Sequence, residues 1–405
     1  MTAIIFLLSI GITAVVSALG GWLTAGLIVA AAMPLLVDLG LLVARPIEAS
    51  LAERYRRQAE KKLRRIDPFV IAVTGSWGKT STKNHIRDLM ANRVDVVASP
   101  ASWNNLAGLS RTINEYLTES TEVLVAEMGM YGPGEIRALC SWMRPRIAVI
   151  CAVGPMHLER VGSLDGIAGA KAEIVEACEK AVLWVEDPIL EQYAIKVMPS
   201  TAAVWRVGRT SSQDLDVAVT RSSESGEIQV WYRGRMICAS DALGGLHESN
   251  IGCAVAACLA YGLSESEIVK RLDSLTSPSN RGSAGRDDRG VYVLDDTFNS
   301  NPVGASTALA RLSREVNGRK VLATPGMVEL GSIQNEANRQ LAEEARGLGV
   351  DVLVIGWTNR EPLRVGAGSN VFCVRDRAAA VRWVRENLHE GDGVLWENDL
   401  PDHYP

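Results

Sequence analysis

Residues 71–82 read IAVTGSWGKTST. An apolar, β-branched run enters a glycine turn, Lys79-Thr80 closes it, and a helical stretch begins. That order is what phosphate binding demands. Glycines let backbone N–H groups approach an anion, a helix N-terminus favours negative charge, a lysine reaches phosphate oxygens, and the next hydroxyl ligates Mg²⁺. The spacing is the short form T-G-x-x-G-K-T; the longer phosphate loop would need glycine where Val73 stands. Thr74, Gly75, Ser76, Gly78, Lys79, Thr80 and Ser81 are therefore expected to cradle a nucleotide. Strand, loop and helix in this order also open an α/β fold, a parallel sheet covered by helices.

Outward from that loop, buried strands are predicted at Phe69–Val73, Val94–Ala98, Val123–Glu127, Ile147–Val153 and Ala181–Val185, with helices between several of them. Residues 202–240 carry AVWRVG, DVAVT and EIQVWYRGRMI between polar turns, which predicts an antiparallel extension of the same domain. Helices follow at 247–261 and 264–275. The stretch SPSNRGSAGRDDRG (277–290) reads as an interdomain hinge. Beyond it a second α/β unit is predicted, with strands near 291–295, 320–324, 351–355, 370–374 and 393–396 and helices near 303–315, 335–347 and 376–388. Glu127 ends a strand on the edge where open α/β sheets bind ligands, so its carboxylate is placed to hold Mg²⁺ unless it is a plain surface acid. His157 follows the next strand, where an imidazole is either a metal ligand or a structural histidine. Lys171, in GAKAEIVEA, reads by itself as a solvated charge on a helix.

Upstream, residues 3–44 are almost wholly apolar. As one helix they would measure ~63 Å at ~1.5 Å per residue, about twice a ~30 Å hydrocarbon core. Gly20-Gly21 beside Trp22 favours a helical hairpin, roughly 3–19 and 22–43, over one tilted span. Between Arg45 and Arg65 stand eight basic residues against three acidic ones, which places that end in the cytoplasm and the anchor in the inner (plasma) membrane. Ile47, Leu51, Tyr55, Ala59 and Leu63 recur every four residues, as in an amphipathic helix resting on the membrane surface, the alternative being a solvated linker. The total charge is −5; with +5 here and −1 from Asp38, residues 66–405 sum to −9. Acidic folded domains argue against a nucleic-acid partner. The seven cysteines show no C-x-x-C pair, and reduced buried thiols are expected.

Five blocks in order, TGSWGKTSTK (74–83), NNLAGLSRTI (104–113), EMGMYGPGEI (127–136), HLERVGSLDGIAGAKAEI (157–174) and DDTFNSNP (295–302), followed by PGMVELG (325–331), resemble the Mur ligases. The likeness is closest to the branch that adds D-alanyl-D-alanine to a UDP-linked muramoyl tripeptide. The resemblance implies an ATP-dependent, ADP-forming acid–amino-acid or dipeptide ligase working through an acyl phosphate in envelope biosynthesis. It implies ATP and two Mg²⁺ ions, with Thr80, Glu127, His157 and a carbamylated Lys171 as metal ligands. Asn250, Arg281, Asp296 and Asn299 would contact ATP, and Asn104 and Asn105 the acceptor. The implied organisation is a membrane hairpin (1–44), a basic linker helix (45–67), a central ATP-binding domain (68–282) and a Rossmann-like C-terminal domain (283–405).

Three departures qualify the likeness. The hairpin stands where the family's uridine-nucleotide-binding domain is expected. The adenine-side element H-N-x-x-N is here His247-Glu-Ser-Asn250, one residue tighter, and Ser110 replaces a common proline. The first of these leaves open a small-molecule, lipid-linked or polymeric carboxylate acceptor, joined to an amino-acid or dipeptide amine. A poly-γ-glutamate-synthase-like amide ligase is the runner-up, against which the EMGMYGPGEI and DDTFNSNP blocks count. A catalytically silent nucleotide-binding membrane scaffold is the reading from another class. Oligomeric state is not legible.

Overall fold

A computed structural model of the chain describes residues 10–11, 14, 22–156, 158–210, 212, 214–222, 225–276, 282–298 and 300–399. In chain order the strands are β1 (Phe69–Thr74), β2 (Val96–Ala98), β3 (Val123–Glu127), β4 (Ile147–Ile150), β5 (Lys180–Trp184), β6 (Ala203–Gly208), β7 (Val217–Arg221), β8 (Ile228–Tyr232) and β9 (Arg235–Ser240). They continue with β10 (Ser283–Arg286), β11 (Tyr292–Asp296), β12 (Lys320–Thr324), β13 (Asp351–Ile355), β14 (Val371–Val374) and β15 (Gly393–Glu397). Among the described residues these form a nine-stranded sheet, β2-β3-β1-β4-β5-β6-β7-β8-β9, and a six-stranded one, β10-β11-β15-β12-β13-β14.

β1 runs parallel to β3 on one side and to β4 on the other. Its residues alternate between two cores. Ile71 and Val73 meet Ile86 and Leu89 of the helix Lys79–Met90 and Ile251 and Val255 of the helix Glu248–Tyr261. Val70 and Ala72 face Leu109 and Ile113 of the helix Leu106–Tyr116 on the opposite side. With both faces covered, every position must be apolar, which is why the strand reads as a continuous run. Strands β2 and β3 lie to one side of β1, and β4 and β5 to the other. The chain thus reverses at β1, opening a crevice at the carboxyl ends of β1, β3 and β4.

The structure differs from the sequence reading in three places. β6 lies parallel to β5, and β7 parallel to β6; antiparallel pairing starts only at β8 and β9. Parallel neighbours need a crossover, and the helix Pro188–Val197, capped by Asp187 on Ile189 N, supplies it between β5 and β6. The second half of the expected hinge is strand β10, paired antiparallel to β11; residues 277–281 lie outside the described residues.

At the N-terminal side, the expected second arm and linker helix are one helix, Trp22–Ile66, through Pro34 and Pro46. No glycine-rich or polar turn separates the two parts, and a helix once nucleated extends cheaply. The expected turn at Gly20-Gly21 and most of the first arm lie outside the described residues. The apolar stripe does not rest on a surface at its far end. Ala59 and Leu63 are buried in the core formed with Leu109 and Ile113, Lys62 donates to Asn114 O (2.9 Å), and Asn114 donates to Tyr55 O (3.1 Å). Further out, Leu35, Leu39 and Leu42 are exposed. Among the described residues one helical span, Ala30–Ile66 of that same helix, is long and apolar enough to cross a membrane.

Candidate active site

The loop after β1 is held from below. Ser76 N donates to Ala152 O (2.8 Å), and the Ser76 hydroxyl bridges Gly154 O and Gly154 N (3.1 and 3.0 Å). Thr74 Oγ1 donates to Met128 O (2.8 Å), tying β1 to the end of β3. These two side chains brace the loop from beneath, and Ser76 also borders the second of the two cavities beside it. Gly78 has φ 77° and caps the helix Lys79–Met90. A Cβ there would lie 2.2 Å from Asn250 Oδ1, so glycine is needed for both its backbone and its neighbour. Lys79 Nζ donates to Gly75 O at 2.9 Å, keeping its charge over the loop.

Two cavities flank this loop and share Trp77, Gly78 and Asn301. One, of about 390 Å³, runs along the helix past Ser81 and His85 to His247 and Asn250, with Asp296 and Arg311 across from them. The other, of about 330 Å³, is lined by Lys79, Asn104, Asn105, Glu127, Tyr131 and Lys171. Ser81, Asn250 and Asp296 thus meet on the first side; Lys79, Glu127, Lys171, Asn104 and Asn105 meet on the second. His157, Arg281 and Asn299 lie outside the described residues.

Glu127 is the hub of the second cavity. It is 1% exposed; Thr80 Oγ1 donates to its Oε2 (2.8 Å) and Asn104 Nδ2 to its Oε1 (3.1 Å). Asn105 spends its side chain capping the helix Leu106–Tyr116 through Gly108 N (2.9 Å), fixing the loop that presents Asn104. The sequence reading missed Lys83, which is 1% exposed, pairs with Glu127 Oε2 at 3.3 Å and donates to Ala101 O at 2.6 Å. Its four-residue offset from Lys79 was the available signal. Among the described residues no three His, Cys, Asp or Glu side chains converge as a metal site. Thr80 and Glu127 offer oxygen donors beside a phosphate loop, which suits Mg²⁺, an ion held by one or two carboxylates with phosphates and waters completing its shell.

Lys171 ends the helix Leu164–Ala172 and is 2% exposed. Burial, and then the neighbouring Lys79 charge, push its ammonium well below the usual lysine range. Across the crevice, Arg160 pairs with Glu329 of the second sheet's unit at 2.9 Å and lies 5.0 Å over the Tyr131 ring. That contact closes the two units over the second cavity.

Comparison with known proteins fits this geometry. Residues 73–258 match the Mur ligase middle domain. The chain is 30% identical over 366 residues to the UDP-N-acetylmuramoyl-tripeptide--D-alanyl-D-alanine ligase of Mycobacterium leprae, covering 80% of this chain and 70% of that protein. It is 29% identical to the Bacillus subtilis enzyme of the same name, over 84% of this chain and 75% of the other. The MurF ligase from Thermotoga maritima, solved in complex with ADP, superposes with a TM-score of 0.73 at 24% identity, covering 86% of this chain and 80% of that one.

Proposed function

Because the chain belongs to the Mur ligase family of ATP-dependent acid–amino-acid ligases, we propose that it amidates a peptide carboxylate of a cell-envelope precursor through an acyl phosphate. A carboxylate oxygen of the acceptor attacks the γ-phosphorus of ATP, the bond to the β-phosphate oxygen breaks, and ADP leaves. The amine nitrogen then attacks the acyl carbon; a C–N bond forms, phosphate departs and the nitrogen releases a proton. The observation that carries this reading is the convergence of Lys79, Thr80-bound Glu127, Asn104 and Lys171 on one cavity beside the phosphate loop. Lys79 and the loop N–H groups steady the triphosphate, Asn104 orients Glu127 and borders the acceptor, and closure of the second unit excludes water from the acyl phosphate. Mg²⁺, when bound through Thr80 and Glu127, neutralises charge on the transferring phosphoryl group. His157 and a carbamylated Lys171 extend the proposed metal set, and Arg281, Asp296 and Asn299 the ATP contacts.

Similar ligases are named for a UDP-linked muramoyl tripeptide and D-alanyl-D-alanine. A muramoyl peptide, UDP- or lipid-linked, is accordingly the proposed acceptor and a D-amino-acid dipeptide the proposed amine. Purified full-length protein with Mg-ATP is expected to release phosphate only when both are present, with an adduct mass equal to acceptor plus amine minus water. Phosphate release indifferent to every acceptor and amine tried, with no adduct, would leave the scaffold reading standing.

We also propose that Trp22–Ile66 anchors the enzyme in the inner membrane with its catalytic units in the cytoplasm. Leu35, Leu39 and Leu42 expose apolar surface that water would not stabilise, and the basic run follows on the cytoplasmic side. The full chain is expected in the membrane pellet after an alkaline carbonate wash; recovery in the supernatant would refute the anchor.

A further inference from the structure

The cavity that runs along the helix Lys79–Met90 has a polar wall that no step above uses. His85 is 0% exposed, and among the described residues neither Nδ1 nor Nε2 has a hydrogen-bond partner. His247 borders the same cavity; its Nδ1 is engaged with Ser249 at 2.8 Å, while its buried Nε2 has no partner among the described residues. Leaving buried polar atoms unpaired is costly, and a leucine or phenylalanine at position 85 would fill the helix face without that cost. Both histidines line a cavity whose wall also holds Ser81, Asn250, Asp296 and Arg311, polar groups of the kind that fix a ligand's orientation.

We propose that His85 is a specificity-determining residue that hydrogen-bonds the base of the bound nucleotide. The inference rests on the reading that this cavity takes ATP. Ser81 and His85 are four residues apart and share one face of the helix. His85 lies six residues beyond Lys79, ~9 Å along the helix axis at ~1.5 Å per residue. That is too deep for a phosphate held at the loop and suits the far end of a nucleoside. Burial, with a smaller push from Arg87, lowers the imidazole to about 4, so it is neutral at physiological pH and carries one donor and one acceptor. A neutral ring bonds a purine nitrogen or its exocyclic amine without importing a charge that would compete for the phosphates. The three-residue offset from His247, the N-cap, to Asn250 in the first turn brings both to the same cavity, so the base would meet polar atoms from two helices.

The test compares ATP with inorganic tripolyphosphate, which engages the loop but has no base, on full-length wild type, His85→Phe and His85→Asn. His85→Phe is expected to weaken ATP about tenfold and leave tripolyphosphate binding unchanged. Equal weakening of both ligands would mean a damaged loop, and no weakening of either a core histidine; each overturns the proposal. His85→Asn, smaller and still polar, serves if the phenylalanine variant fails to fold, with the same ratio read. If 2′-deoxy-ATP binds wild type about tenfold more weakly than ATP and His85→Phe no longer distinguishes them, the contact is to the ribose and the base assignment fails. Wild type that binds ATP no better than tripolyphosphate would instead remove the underlying reading of the cavity.

Discussion

Replacing Lys171 by alanine is expected to lower ADP-forming turnover about 10²–10³-fold, the scale of losing one preorganised charged group from a dry site, while ATP still binds. Lys171 is almost fully buried and shares the crevice with Lys79. Burial first, and then the Lys79 charge, both favour the neutral form of Lys171. A neutral amine is the form that attacks carbon dioxide: an N–C bond forms, the nitrogen loses a proton, and an anionic carbamate results. The proposed anion would reverse the local charge beside Lys79 and would add oxygen donors to those of Thr80 and Glu127. Removal of dissolved carbon dioxide should therefore slow wild type, added bicarbonate should restore it, and neither should affect Lys171→Ala. Lys171→Arg should be as inactive as alanine, since a guanidinium stays protonated and cannot be carbamylated. Full turnover in Lys171→Arg, or indifference of wild type to bicarbonate, would sink the assignment.

The second large effect concerns folding. Lys83→Met is expected to destabilise the protein by about 3–5 kcal/mol, because it strands a buried carboxylate. Lys83 and Glu127 are each 1% exposed, at 3.3 Å, and Lys83 comes from the helix after the loop while Glu127 ends the neighbouring strand. Thr80 and Asn104 still donate to Glu127, but they bring no charge. The double variant Lys83→Met/Glu127→Gln removes the stranded charge, so it should recover part of the loss; urea unfolding of wild type, Lys83→Met, Glu127→Gln and the double variant gives the coupling directly. A single variant within about 0.5 kcal/mol of wild type would show the pair to be dispensable for folding. Saturating Mg-ATP should raise the stability of wild type and variant together, since a ligand bound only to the folded state stabilises it by mass action.

Both predictions turn on contacts of different legibility. The phosphate loop could be read directly because its chemistry is local: strand, glycine, Lys79 and Thr80 lie within a few residues, and each has a reason to be where it is. Strand β3, Val123–Glu127, was equally readable, since a run covered on both faces must be apolar and its last residue must fall at the ligand edge. Lys171 was legible only through resemblance; its burial, which makes its chemistry intelligible, is not written in GAKAEIVEA.

By itself, then, the amino-acid sequence determined the α/β class, the phosphate loop, the position along the chain of nearly every strand and the residues placed at strand ends, because strand and helix periods and turn chemistry act over a handful of neighbours. The tertiary structure alone decided what covers each face. It turned the stripe at Ala59 and Leu63 from a membrane-facing surface into a core shared with Leu109 and Ile113. It also set β6 and β7 parallel, joined Lys83 to Glu127, and enclosed His85 without a partner. A hydrophobic pattern says which side of an element must leave water. Only packing between segments distant in the chain selects the partner that receives it, and with it the solvation that sets the chemistry of each buried charge.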